Sequence, residues 1–328
     1  MHTYTLASFA CRALPAAAVA VLAMACSDQE PTTAPALPAG AQAAAAPGLL
    51  NGGRSPKAAA FGQIVFSSVR DGKPDLYIAG DSANAPASRL TNNAASELMA
   101  AWAPDYKKIA FVSDKDGNLE IYSMKTTGGA VTRLTTHATP DADPVYSPDG
   151  SKIAFASYRD GNAEIYVMDA DGKNVKRLTV NAATDREPTW SPDGSKIAFS
   201  STRGPSGATQ IYMMNAADGS GVVPFSPATT VERSPHWSPD GARIVFLNGS
   251  GGTDIVWREV ASRASHTIIS TPFALGAPNW SRDGLNVVFD TMTQTGQNYV
   301  VMDAFKAGGV LFQGVVNGYA NVGPVWSR

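Results

Sequence analysis

The chain has 328 residues, 26 lysines and arginines against 28 aspartates and glutamates, and a formal charge of −2. It contains no run of basic residues, so it lacks the clustered positive charge that binding to phosphate backbones requires, and nucleic acid is excluded as a partner. Two average domains would fit this length, but a repeat occupies most of it and argues for one large unit.

Residues 1–25 hold one charged side chain, Arg12, followed by the apolar run Ala13 to Met24 and then small residues. This is the layout of a secretory signal peptide, and about a dozen apolar residues fall short of the roughly 20 that a spanning helix needs. Cys26 directly follows Leu22-Ala23-Met24-Ala25, which resembles the lipobox of bacterial lipoproteins; Ala23-Met24-Ala25 also satisfies an ordinary Ala-x-Ala cleavage site. Because Cys11 would leave with the signal, Cys26 would be the lone exported cysteine, and lipidation there is the expectation. Residues 26–58 are rich in Ala, Pro and Gly, too poor in bulky apolar groups to offset the entropy of ordering, and read as a flexible tether. By the sorting pattern of such lipoproteins, Ser27 after the cysteine points to the outer membrane.

From residue 59 to 328 a motif recurs. Its opening aromatic stands at Trp102, Tyr146, Trp190, Trp237, Trp280 and Trp326, at intervals of 43 to 47 residues. Each copy continues as Ser-Pro-Asp-Gly or a variant, then a run such as Lys152 to Ser157, a turn such as Asp160-Gly161, a second run such as Glu164 to Met168, and a further Asp-Gly. Short β-branched and aromatic runs between turn signals predict four antiparallel strands per unit. Glycine and proline interrupt them too often for an amphipathic helix. Such a unit cannot bury both faces alone, so neighbours stack radially as a β-propeller.

Second-strand cores at Ile64–Phe66, Ile109–Phe111, Ile153–Phe155, Ile197–Phe199, Ile244–Phe246 and Val287–Phe289 number six. The first lacks a preceding aromatic motif, and the last aromatic, Trp326, has no second strand after it. The expectation is an all-β, six-bladed propeller whose closing sheet joins the strand around Trp326 to the strand around Val65, removing exposed edges.

The copies, for example Trp190 to Ser201 and Glu164 to Met168, resemble the repeats of TolB-type β-propellers over the whole span from Phe61 to Arg328. The resemblance implies a binding platform at the cell envelope, with partners of the kind TolB takes, the lipoprotein Pal and colicin segments. Only the tether stands where TolB carries an α/β domain. The same propeller also serves peptidases as a gate and works as an oligosaccharide lyase, so fold alone does not choose a function.

With the aromatic-bearing strand innermost, the residue five places earlier falls near one mouth of the channel: Glu97, Asp141, Asp185, Glu232, Leu275 and Asn321. Asp143, Arg186, Glu187 and Arg233 adjoin them, and Phe273 and Tyr319 extend the opposite arc. Gathered acids would attract a cation or a basic segment; alternatively they pair with Arg186 and Arg233 and bind nothing. The repeated Trp and Tyr read as wedges between blades, and the motif aspartates as turn residues. His137, His236 and His266 fall at different repeat positions, as surface or loop residues that form no metal site. Gly204 to Ala208 misses the Gly-x-Ser-x-Gly pattern at its last place. Asp169 to Gly172 reads as a hairpin turn, since an EF-hand register would put Val167 and Leu178 at ligand positions. The combined expectation is a monomeric, non-catalytic, cofactor-free platform for an envelope protein or peptide, with a carbohydrate-binding or lyase-type propeller as the alternative.

Overall fold

The computed structural model describes residues 63–80, 86–204, 207–272, 274–293, 296–305, 310–315 and 321–326, the backbone alone at 291–293, 296–301, 303, 310–315 and 321–326. The expected signal peptide, Cys26, the tether, Phe273 and Tyr319 lie outside the described residues.

The chain is an all-β propeller. The first sheet opens with β1 (Gln63–Ser68), β2 (Asp75–Gly80) and β3 (Ala87–Arg89). The second holds β4 (Glu97–Trp102), β5 (Lys108–Ser113), β6 (Glu120–Lys125) and β7 (Thr132–Arg133). The third holds β8 (Asp141–Tyr146), β9 (Lys152–Ser157), β10 (Glu164–Asp169) and β11 (Lys176–Arg177). The fourth holds β12 (Asp185–Trp190), β13 (Lys196–Ser201), β14 (Gln210–Asn215) and β15 (Val223–Pro224). The fifth holds β16 (Glu232–Trp237), β17 (Arg243–Asn248), β18 (Asp254–Glu259) and β19 (Ser265–Ser270). The sixth holds β20 (Asn279–Trp280), β21 (Asn286–Thr293), β22 (Gly296–Asp303) and β23 (Val310–Val315). The last strand, β24 (Asn321–Trp326), returns to the first sheet, pairing Val65 with Val325 and Ile64 with Trp326.

The strands that end on the repeated aromatic form the inner wall. β24 touches β4, β4 touches β8, and contact continues through β12, β16 and β20 back to β24. Sequence patterning explains the layers outside them. The second strand of every sheet contributes a phenylalanine (Phe66, Phe111, Phe155, Phe199, Phe246, Phe289) that is essentially fully buried. In four sheets it packs on a tyrosine of the third strand, with centroids 5.7–6.2 Å apart. Trp190 packs against Ala154, Ile165 and Val167 of one sheet and Ile197, Phe199 and Met214 of the next, the wedge expected of a large aromatic between blades.

The motif turns follow from their aspartates. Asp149 accepts the Ser151 amide at 3.0 Å and the Ser147 hydroxyl at 2.6 Å, and Asp193 repeats the arrangement with Ser195 and Ser191. These bonds hold the Asp149 carboxyl down at about 2, the Ser147 hydroxyl contributing most. Gly150 and Gly194 take φ 72° at the turn; in the first copy Tyr106 takes that left-handed conformation instead, at φ 58°. Asp169 to Gly172 is a hairpin turn between β10 and β11, closed by the Gly172 amide on the Asp169 carbonyl at 2.8 Å.

Candidate functional site: the ring of inner strands

Each of β4, β8, β12 and β16 carries a bulge. Pairing slips after the second residue, and the third residue (Met99, Asp143, Glu187, Ser234) sits at φ 54°. A non-glycine residue in that region costs about 1–3 kcal/mol, so its surroundings must hold it there. Two of the four are held by the preceding blade: Asp143 accepts the Glu187 amide at 3.2 Å, and Glu187 in turn accepts the Ser234 amide at 2.7 Å. Carboxylate to amide, blade to blade, the third position forms a chain across β8, β12 and β16.

Arg186 reinforces it. Its Nε and Nη2 donate to the two oxygens of Asp143 at 3.0 and 3.2 Å. Burial by itself would lower the Arg186 pKa, but the charges of Asp143, Tyr158 and Glu187 together drive it up, so the guanidinium stays ionised. Glu187 also accepts the Ser200 hydroxyl at 2.6 Å.

The four acids at the first position do not stand at a solvated mouth. Glu97, Asp141, Asp185 and Glu232 are at most 1% exposed. The sequence reading leaves two roles open for them, a charged mouth or pairs with Arg186 and Arg233, and the structure gives three of them other partners. Asp141 is held by Arg159 at 3.1 Å, Asp185 by Arg203, and Glu232 by Arg258 through two bonds of 2.6 and 2.8 Å. The signal for two of these lay in the sequence: Arg159 and Arg203 each stand eighteen residues after their acid.

Lys115 occupies the same offset from Glu97, but its ammonium lies 4.2 Å over the Tyr122 ring instead. Glu97 is left with Asn93 at 2.8 Å and Ser113 at 3.1 Å, and its second oxygen is buried without a partner. Burial accordingly pushes the Glu97 carboxyl up. Asp185 is also pushed up by burial, which Ser201 and Arg203 do not fully offset. Across the blade boundary, burial acts on Glu164 in the same sense, but bonds from Thr179, the Asn181 amide and Arg177 outweigh it and hold Glu164 below its ordinary value. Asn181 bridges the two carboxylates, at 3.3 Å from Glu164 and 2.8 Å from Asp185.

Arg233 differs from its neighbours. It is half-buried on β16, where its backbone pairs with Leu247, and among the described residues its guanidinium has no hydrogen-bond or ion-pair partner. Its guanidinium rests over Gly252, where an added Cβ would come within 2.4 Å of Nη2. Leu275 is buried, and Asn321 is placed by its backbone at the start of β24.

The histidines also depart from expectation in part. His236 is not a surface or loop residue: it lies on inner strand β16 with Nδ1 buried and unpartnered, and burial lowers its pKa to about 4 against a smaller opposing backbone bond. His266 lies on β19, stacked on Trp257 with centroids 5.1 Å apart. His137 sits outside the strands and bonds Thr139 through Nδ1 at 2.9 Å. Among the described residues no group of three or more His, Cys, Asp or Glu side chains is placed to hold a metal ion.

Residues 54–145 and 138–328 match the family model described as TolB beta propeller domain. A comparison with curated proteins finds no match. Among solved structures, TolB from Acinetobacter baumannii is 24% identical with a TM-score of 0.70, the match covering 81% of this chain and 66% of that one. This chain therefore spans slightly under two thirds of that relative. A protein assigned as TolB from Agrobacterium tumefaciens is 21% identical with a TM-score of 0.61, over 78% of this chain and 90% of that one. A chain of a nidogen–laminin complex, 11% identical, reaches 0.65 over 81% and 98%. At such identities the structures share a fold and nothing more specific. The family match spans both sets of repeats, and the chain belongs to the TolB beta propeller domain family.

Proposed function

We propose that this protein is a non-catalytic binding platform of the bacterial cell envelope, anchored to the outer membrane through a lipidated Cys26, and that a protein or peptide segment docks on the ring of inner strands. The reading takes the six sheets as one closed, six-bladed ring and the chain as a monomer. A partner of the kind implied by the resemblance to TolB, a Pal-like envelope protein, suits it.

The observation that carries the proposal is Arg233. Three of the four first-position acids, Asp141, Asp185 and Glu232, are neutralised inside the wall by Arg159, Arg203 and Arg258, and the fourth, Glu97, is buried, so they do not supply the solvated negative field assigned to the mouth from sequence. Asp143 is likewise matched by Arg186. Beside this network the half-buried Arg233 guanidinium has no carboxylate partner among the described residues, so the docking segment brings one. Binding needs no cofactor and no reacting group.

In-cell crosslinking followed by identification of the captured protein tests this reading. Arg233→Ala should lower capture at least tenfold while thermal stability is retained; capture unchanged by the substitution removes the ring as the docking site.

A further inference from the structure

The motif turns gather at one end of the propeller, each joining an inner strand to the second strand of its sheet. β1 begins at that same end, because Ile64 faces Trp326 as Ile109 faces Trp102. The 62 residues that precede Gln63 therefore join the propeller on the turn-bearing face.

That face carries an aromatic cluster between the fifth and sixth sheets. Phe305, 43% exposed, lies 5.9 Å from half-buried Trp257 and 6.5 Å from Trp280. The Trp257 indole is fixed by a 2.8 Å bond to the Ala304 carbonyl. Leu285, 55% exposed, is bound alongside through the Ala304 amide on its carbonyl at 2.8 Å. Arg243 spans the pair, 5.1 Å from the Trp257 ring and 5.0 Å from the Phe305 ring. Exposed Phe and Leu, a tryptophan with its polar edge satisfied, and an arginine lying flat on aromatic faces make up a surface that suits the boundary between headgroups and acyl chains.

We propose that the turn-bearing face of the propeller lies against a bilayer and that Phe305, Leu285 and Trp257 seat in its headgroup layer. The occupant is named by where the chain enters: the segment running back to Cys26 leaves from this face. The proposal rests on the lipid-anchored reading. The 36 residues between Cys26 and Gln63, as a flexible coil, span roughly 30–36 Å, which keeps the propeller near the surface without orienting it. The aromatic cluster supplies the orientation. The cation within the cluster, Arg243, is matched by Asp240, so seating of the cluster depends on neither anionic lipid nor low salt.

The chain from Cys26 onward carries every strand of the ring and a single cysteine. Coupling that cysteine to a maleimide lipid in phosphatidylcholine vesicles fixes the anchor chemically. Lipids brominated near the headgroup should then quench part of the tryptophan emission, the part that comes from half-buried Trp257. Trp257→Phe and the double variant Leu285→Ser with Phe305→Ser should each lose that quenching at unchanged melting temperature, and anionic lipid or 0.5 M salt, a condition of roughly 4 Å Debye length, should not alter it. Equal quenching in the wild type and Trp257→Phe, or quenching that survives the double variant, overturns the proposal. Because the coupling supplies the anchor, an unmodified Cys26 found in cells would defeat lipidation and leave this result to stand on its own.

Discussion

Arg186 on one blade closes two hydrogen bonds onto Asp143 of the blade before it, while the amide of the next residue, Glu187, donates to the same carboxylate. One carboxylate thus ties two consecutive inner strands together at the point where both backbones are bent into the left-handed region. The two side chains, 10% exposed for Arg186 and 12% for Asp143, are well shielded from water.

Removing one partner from a shielded pair leaves an uncompensated charge, which costs about 3–5 kcal/mol, whereas replacing both with apolar groups of similar volume is close to neutral. Asp143→Ala should therefore destabilise by about 3 kcal/mol, part of it from the orphaned Glu187 amide, and the double variant Asp143→Ala with Arg186→Met should recover most of that loss. Chemical denaturation read by tryptophan fluorescence decides the matter; a double variant as unstable as the single would show that the carboxylate acts through the backbone alone.

His236 makes stability depend on pH. Its folded pKa, lowered by burial to about 4, lies below the ordinary histidine value of 6.5, so between those values the unfolded chain binds the extra proton. Stability is full above 6.5 and falls as the pH drops toward 4, by about 3 kcal/mol at most. His236→Gln should flatten the unfolding free energy over that window relative to the wild type. An identical slope in both proteins would assign the acid sensitivity to other groups.

Local chemistry made much of the fold legible in sequence. The aromatic spacing located the inner strands, since a wedge between blades must recur once per blade, and the Asp-Gly pairs located hairpins because they need only their own backbone. Pairing across elements was less visible. Glu97, Asp141, Asp185 and Glu232 share one repeat position and are all buried, but whether each is neutralised depends on an arginine delivered by another strand or turn, which Glu97 lacks, and burial raises the cost of leaving any of them unmatched. His236 was misread because the bulge at Ser234 inserts a residue and resets which face of the strand the following side chains take. Arg233 was legible as a ring residue, but its lack of a partner became visible only when Asp143 proved to be matched by Arg186 instead.

The joining of β24 to β1 bears on the whole ring. Val65 pairs with Val325 and Ser68 with Asn321, so the first sheet takes its inner strand from the far end of the chain, and β24 also touches both β4 and β20. Without it, β1 would present an unpaired edge, and the core of Ile64, Phe66, Tyr77 and Val288 between the first and sixth sheets would lose its inner boundary. Deleting residues 323–328 should thus abolish a single cooperative unfolding transition and drive association through the exposed edge, measured by calorimetry and light scattering. Adding the missing segment back as a separate peptide should restore a single transition at a lower temperature, because pairing then carries the entropy cost of bringing two molecules together. A truncated protein that stays monomeric and melts like the full chain would mean that contacts other than β24 on β1 hold the ring closed.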